Sequence, residues 1–439
     1  MIYFLGILIN GFAGFLLIRW LTGARLHLIL HILLALALGL GMAGTSTFYM
    51  HILLNQSNHW LPIGLVVLII IILYRQSKDV LRSFTAFRMT KAIALSLLAL
   101  AILAIPLSMT AHYFPLGGWD AWSCWNLKAK FIFLSSDNWK DILAPSFWRS
   151  NTNYPLLWPL INVWFWDLGG RFDQAIPMLN SILIALLTAG ILIFGLLELT
   201  GLVWPSIALA VIITALPFGV TLYISQYSDS LVGLFLLSAF MSLLLAEKYK
   251  LPKLKILSMI FLGLMTFTKN EGLMLGGISA LLILWHERSH KKELKNLIIS
   301  FSLAALPTII FTLFIAPKNE AFINGLTSAD KHSTWERLSV ILAYPWYEMI
   351  SGKWNGLWIL ILGGILLAGK KLWQSSLGII ALSIILYLGV VLAYYEVNTF
   401  FEIQWWLSTT LSRILFALVP TLVLWIGLGL TPANHPTKR

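Results

Sequence analysis

Long apolar runs recur from one end of this 439-residue chain to the other, many near the ~20 residues that cross a bilayer as a helix. Such runs leave few choices of fold. In hydrocarbon every backbone amide must be satisfied internally, so the chain spans as helices or as a closed barrel. Barrel strands would read as short alternating segments, and none is seen. Charged residues make up only 11% of the chain, against about a quarter in soluble domains. The reading is an all-α polytopic membrane protein. Its single cysteine, Cys124, rules out an internal disulfide framework.

Apolar runs place spans at 2–18, 27–47, 60–74, 92–111, 176–197, 202–220, 229–246, 254–268, 271–285, 297–316, 355–369, 372–393 and 413–430. That is a bundle of about 13 transmembrane helices. The N-terminus lacks a basic leader and a small-residue cleavage site, so it reads as a retained first span.

The net charge of +12 sorts by topology. One set of connecting segments holds 19 basic residues and 5 acidic ones, with clusters at Arg75–Lys91, Lys248–Lys255 and Arg288–Lys295. The other set holds 11 basic and 13 acidic residues. Basic residues collect on the cytoplasmic side of spanning proteins. The first set is therefore assigned to the cytoplasm, and the excess charge is a topology signal with no nucleic-acid partner implied. A crossing at 154–170 would invert every later loop, and Pro155 and Pro159 stand near its start. That segment reads as a helix lying in, or dipping into, the outer interface. Residues 112–175 then form one long extracytoplasmic segment. A loop of that length is functional or disordered. Its five tryptophans before residue 149 argue against disorder.

Once the sides are assigned, four polar clusters face the outer compartment. They are Asp120 with Lys128 and Lys130; Asp229 in "YISQYSDSLVG"; Lys269, Asn270 and Glu271 in "TFTKNEGLMLGG"; and Glu402, Gln404 and Arg413 before the last span. Plainer roles exist for each. Asp229 could cap its helix, Arg413 could snorkel to the interface, and Lys128 and Lys130 could meet lipid headgroups. The nine histidines show no metal-ligand spacing such as HExxH, and no Walker loop, dinucleotide fingerprint or GxSxG elbow is present. A carboxylate beside cations at an outer membrane face suits one chemistry well. A lipid-borne sugar phosphate is an activated donor. An Arg or Lys would stabilise its leaving phosphate, and a carboxylate would take the proton of the attacking hydroxyl.

The segment "GGWDAWSCWNLKAKF" after a span resembles the first outer loop of GT-C superfamily glycosyltransferases. These include bacterial protein O-mannosyltransferases and lipid A aminoarabinose transferases. "YPLLWPL", "QYSDSLVGLFLLSAF", "GLMTFTKNEGLMLGG" and "WWLSTTLSRILFALVP" are similar to later elements of that superfamily, in family order. The resemblance covers residues from about 92 to 430. It implies a GT-C-like catalytic module over 92–430, whose long first extracytoplasmic loop, 112–175, contains interfacial helices. Residues 1–91 become an N-terminal three-span extension and 431–439 a cytoplasmic tail.

The implied function is transfer of a sugar from a polyprenyl-phosphate donor to a hydroxyl of an extracytoplasmic glycan or lipid. The implied place is the bacterial inner membrane. By the same resemblance Asp120 matches the general base and Asp229 an acceptor- or metal-binding acid. Lys269 and Arg413 become donor-phosphate candidates, with Tyr154 and Glu271 secondary. Ala121 follows Asp120 where many O-mannosyltransferases have Glu, and Asp229 lies in no DxD. No cofactor is required, and a divalent metal stays open. With no C-terminal soluble domain read in this chain, a small or lipid-linked acceptor fits. The alternatives are a flippase for a lipid-linked saccharide and a polysaccharide polymerase or ligase.

Overall fold

A computed structural model describes residues 1–23, 26–55, 58–76, 89–318, 323–325 and 335–431. The tail 432–439, and the basic-set residues Arg25, Lys78, Arg82, Arg88, Lys438 and Arg439 with Asp79 beside them, lie outside the described residues. Among the described residues the chain is helical, with no strand.

Seventeen α-helices follow in order: α1 Ile2–Thr22, α2 Leu28–Thr47, α3 Trp60–Gln76, α4 Lys91–Tyr113, α5 Asn126–Leu134, α6 Leu157–Gly169, α7 Ala175–Thr200, α8 Val203–Thr214, α9 Pro217–Ile224, α10 Ser228–Tyr249, α11 Lys253–Thr266, α12 Asn270–His286, α13 Lys291–Ile310, α14 Trp335–Ile350, α15 Leu357–Ala368, α16 Ser375–Val397 and α17 Ile403–Leu430. Among the described residues eight are long and apolar enough to cross a membrane: α1, α2, α4, α7, α10, α13, α16 and α17. The pair α8 and α9 could make a ninth, bent by 66° where Pro217 opens the second helix. The remaining apolar runs fold as shorter helices, α3, α11, α12 and α15, of 17, 14, 17 and 12 residues. The chain is thus a polytopic helical membrane protein.

α10 is the centre, with its whole apolar stretch buried inside the protein. It packs against α7, α11 and α17. Helices α1 and α2 are not peripheral to this core. α1 and α2 cross backbone to backbone: a Cβ on Gly14 would lie 2.1 Å from the Ala35 carbonyl, and one on Gly39 2.4 Å from that of Asn10. Small residues permit such an approach, and packing rather than hydrophobicity drives helix association in lipid. α2 then presents Gly41 to Leu264 of α11, and Gly44 to Leu157 and Ile161 of α6.

Two groups of polar contacts mark opposite ends of the bundle. At the basic end Lys255 pairs with Glu287 at 2.8 Å and with Glu293 at 3.5 Å, and Ser375 and Ser376 donate to Glu247. The charged pairs of Asp120, Asp229 and Lys269 gather at the other end, as the charge sorting anticipates.

The segment between α4 and α7 holds only short helices, and both its ends lie at one end of the bundle. Gln226 touches each: its side-chain amide donates to the Pro115 carbonyl at 3.0 Å and to the Met178 sulfur at 3.9 Å. Within that segment α6 departs from the expected interfacial helix. Its 13 residues reach about 20 Å, too short to cross. Instead of lying on a surface it is enclosed by α1, α2, α3, α5 and α7. Trp158, Trp164 and Trp166 are fully buried, so these tryptophans fill a core and do not anchor at headgroups.

Candidate functional site

The opening of the first loop is fixed by backbone chemistry. Gly117 has φ +71°, in the left-handed region, and a Cβ there would lie 2.6 Å from the Ser225 carbonyl. Gly118 donates its N–H to that same carbonyl at 3.0 Å, and a Cβ on it would sit 2.3 Å from the Tyr227 hydroxyl. Asn126 donates to the Gln226 side chain at 2.7 Å. The two glycines thus let the loop lie flat against the turn before α10, and Asp120 is carried in with it.

Arg413 comes from the opposite direction. It lies ten residues into α17, about 15 Å from that helix's first residue. Its guanidinium Nη1 donates to Asp120 Oδ2 across 293 positions of sequence, and its plane lies over the Tyr227 ring at 5.0 Å. A cation over an aromatic face gains from the ring quadrupole. Arg413 is therefore half-buried and paired, and does not snorkel outward.

The second pair is assembled by a short hairpin. α11 has 14 residues, about 21 Å, so its turn into α12 falls short of the ~30 Å of a hydrocarbon core. Lys269 sits at this sunken turn. The turn is held by the Leu157 N–H, which donates to the Phe267 carbonyl at 3.0 Å. Lys269 Nζ meets Asp229 Oδ1 at 3.0 Å and Glu271 Oε1 at 3.1 Å. Asp229 lies in the first turn of α10, and its carboxylate is paired with the lysine. Burial lowers the pKa of Lys269, but the carboxylates of Asp229 and Glu271 outweigh it and hold the ammonium above its ordinary value.

Tyr154 lies within electrostatic reach of both pairs. Its phenol is raised well above the ordinary tyrosine value by burial first, then by the charges of Glu271, Cys124 and Asp120, with Arg413 opposing. All six sequence-derived candidates, Asp120, Tyr154, Asp229, Lys269, Glu271 and Arg413, thus fall in one electrostatic neighbourhood.

The neighbourhood grades from closed to open. The side chains of Lys269 and Asp229 are 3% and 7% exposed, while those of Glu271 and Asp120 are 23% and 26% exposed. Three buried polar atoms there have no protein partner: Asp229 Oδ2, Glu271 Oε2 and Arg413 Nε. Buried groups in native proteins are almost always paired, so orphans at an open-sided cluster mark a place for water or a ligand. With three acids against two cations the protein side carries a formal charge of about −1, and the orphans include donor and acceptor alike.

Sequence reasoning missed two groups beside this centre. Lys128, expected at headgroups, is fully buried; its Nζ donates to the Asn151 carbonyl at 2.6 Å and lies 5.5 Å and 5.8 Å from the Trp125 and Tyr154 rings. Burial pushes its pKa down. The "CWNLK" spacing, with Trp125 three residues before Lys128 on one helical face, was the available signal. Tyr227 is the other, with its phenol raised by burial first and then by Asp120. Lys130 is exposed as expected, above the Phe172 ring at 5.3 Å. Glu402, from the fourth cluster, serves as a helix cap, accepting from the N–H groups of Gln404 and Trp405.

No family model matches the chain, and no curated protein or solved structure matches it.

Proposed function

We propose that this protein is a membrane glycosyltransferase of the GT-C kind, with about 13 spans when the four shorter helices and the bent pair are counted. It moves a sugar from a polyprenyl-phosphate donor to a hydroxyl of an extracytoplasmic glycan or lipid. The observation that carries this reading is the contact of Asp120 with Arg413 beside the Asp229–Lys269–Glu271 cluster. A base and two cations stand together on the open side of a membrane-embedded bundle.

The chemistry follows from what each side chain can do. Arg413 carries five donors and offers a fork that suits phosphate. A donor phosphate competing for that fork draws Arg413 off Asp120 and leaves the carboxylate basic. The acceptor oxygen attacks the anomeric carbon while its proton passes to Asp120. The bond from that carbon to the phosphate oxygen breaks, and polyprenyl phosphate leaves with the electron pair, held by Arg413 and Lys269. One displacement inverts the anomeric centre. Asp229 and Glu271 keep Lys269 charged at the working pH and offer their free oxygens to acceptor hydroxyls. Asp229 is held by a lysine, an arrangement that favours acceptor binding over a metal at this acid. The assigned location is the bacterial inner membrane, with the site on the extracytoplasmic side.

Transport of a lipid-linked saccharide is favoured by one feature, the 66° break between α8 and α9, since transporters use discontinuous helices. Reconstitution decides between the readings. Vesicles holding the purified protein, a polyprenyl-phosphate sugar and envelope glycan or lipid extract should yield a covalent sugar adduct by mass analysis. Movement of the donor across the bilayer with no adduct from any acceptor would overturn the transferase reading. Products lengthened by many units would assign the same chemistry to a polymerase.

A further inference from the structure

Away from the charged centre, three side chains from separate parts of the chain converge. α2 ends in a wide turn over Phe48–Leu53 that points His51 inward. His59 stands just before α3, and Asp167 lies at the far end of α6. His51 Nε2 is 2.7 Å from Asp167 Oδ2, and His59 Nδ1 is 2.6 Å from Asp167 Oδ1. One ligand atom from each of the three lies within 4.8 Å of the others. Asp167 is fully buried, His51 is buried, and His59 is 40% exposed.

We propose that His51, His59 and Asp167 bind a divalent transition-metal ion, with zinc the best fit, as a site separate from the transfer centre. Two imidazole nitrogens and a carboxylate oxygen are the donor set that such ions take, and three protein ligands leave a fourth position for water. A buried carboxylate is costly unless its charge is compensated. A cation at this point supplies that compensation. The partly exposed His59 gives it a route in from solvent. Ten residues of α6 separate Asp167 from Leu157, which sits beside the Lys269 turn, a distance of about 15 Å. The ion is thus too far off to touch the reacting sugar. It fastens the end of α2 and the start of α3 to the end of the buried loop helix, and so holds the start of that helix against the Lys269 turn.

The test uses the full chain in detergent, prepared without a polyhistidine tag. It is loaded with Zn²⁺ and then dialysed against metal-free buffer. Elemental analysis should find about one zinc per wild-type chain, and Co²⁺ in its place should give the intense visible bands of a low-coordinate site. His59→Gln, a change on a half-exposed side chain, should remove the bound zinc and the bands, as should Asp167→Asn. Chelation should lower the Tm of the wild type by several degrees and leave that of His59→Gln unmoved. Wild type that retains no more zinc than His59→Gln, or that gives no cobalt bands, would overturn the proposal and leave the cluster as a hydrogen-bonded clamp. The cobalt spectrum needs no variant, so a misfolded Asp167→Asn does not blunt the test.

Discussion

Arg413 and Asp120, 293 positions apart in the chain, meet as a guanidinium–carboxylate pair whose cation also covers Tyr227. This pair makes the proposed base and the proposed phosphate ligand each other's resting partner. Their variants should therefore separate two kinetic effects. Asp120→Asn keeps the size and hydrogen-bonding shape of the side chain but cannot accept a proton. Transfer should fall by about 10²–10⁴-fold, the usual worth of a general base, while donor binding holds or tightens because Arg413 is released. Arg413→Gln should instead weaken donor binding first. Radiolabelled donor capture and single-turnover transfer would check both. Near-normal turnover by Asp120→Asn would remove it as the base.

Lys269 stands between two carboxylates in a nearly closed environment, so its loss should be felt as stability. Lys269→Met leaves Asp229 and Glu271 without the cation that bridges them. Removing one partner of a buried pair costs about 3–5 kcal/mol, because the remaining charge stays buried. The triple change Lys269→Met, Asp229→Asn, Glu271→Gln removes all three charges and should recover much of that loss while staying inactive. Thermal unfolding in detergent would read both. Equal destabilisation by the single and triple variants would show that the charges were not the cause.

Much of this arrangement is legible in the sequence because membranes are strict. Apolar length marks the helices, and the sorting of basic residues separates Lys255, paired with Glu287 at one end, from Lys269, paired with Asp229 at the other. That sorting needs no contact information. What could not be read is depth and enclosure. The run 154–170 has interfacial composition, yet α6 is walled in by helices α1, α2, α3, α5 and α7, and composition is the same for a lipid-facing and a protein-facing tryptophan. Lys128 failed for the same reason. A lysine on an outer loop suggests solvent, and only the packing of Trp125 and Tyr154 around it reveals burial. The His51, His59 and Asp167 cluster is not marked by any local motif, since Asp167 lies 116 and 108 positions from His51 and His59.

The glycines before Asp120 offer a test of positioning. Gly118→Ala would place a methyl 2.3 Å from the Tyr227 hydroxyl, and Gly117→Ala would add a β-carbon at φ +71°. A non-glycine residue in such a conformation costs about 1–3 kcal/mol. The strain falls on the loop and not on the bundle, so activity should drop more than Tm does. Donor binding would persist through Arg413 and Lys269, and the turnover number would carry the loss. A loss confined to the Michaelis constant would place the loop elsewhere in the reaction.

Alkaline pH tests the cluster without mutation. Lys269 is held above its ordinary value of 10.5, and Tyr154 well above 10.0. Both groups are therefore more readily deprotonated in the unfolded chain than in the folded one. For a raised pKa the contribution is intact below the unfolded value and is lost as pH climbs toward the folded value. Stability should hold through neutral and mildly alkaline pH, then fall once pH passes about 10. The sign differs from acid denaturation, where carboxylates are the groups that change. The fall should be shallower in the triple variant, because the lysine is gone, and shallower still when Tyr154→Phe is added. Tm recorded against pH for the three proteins would decide it. Parallel curves above pH 10 would show that neither group is coupled to folding.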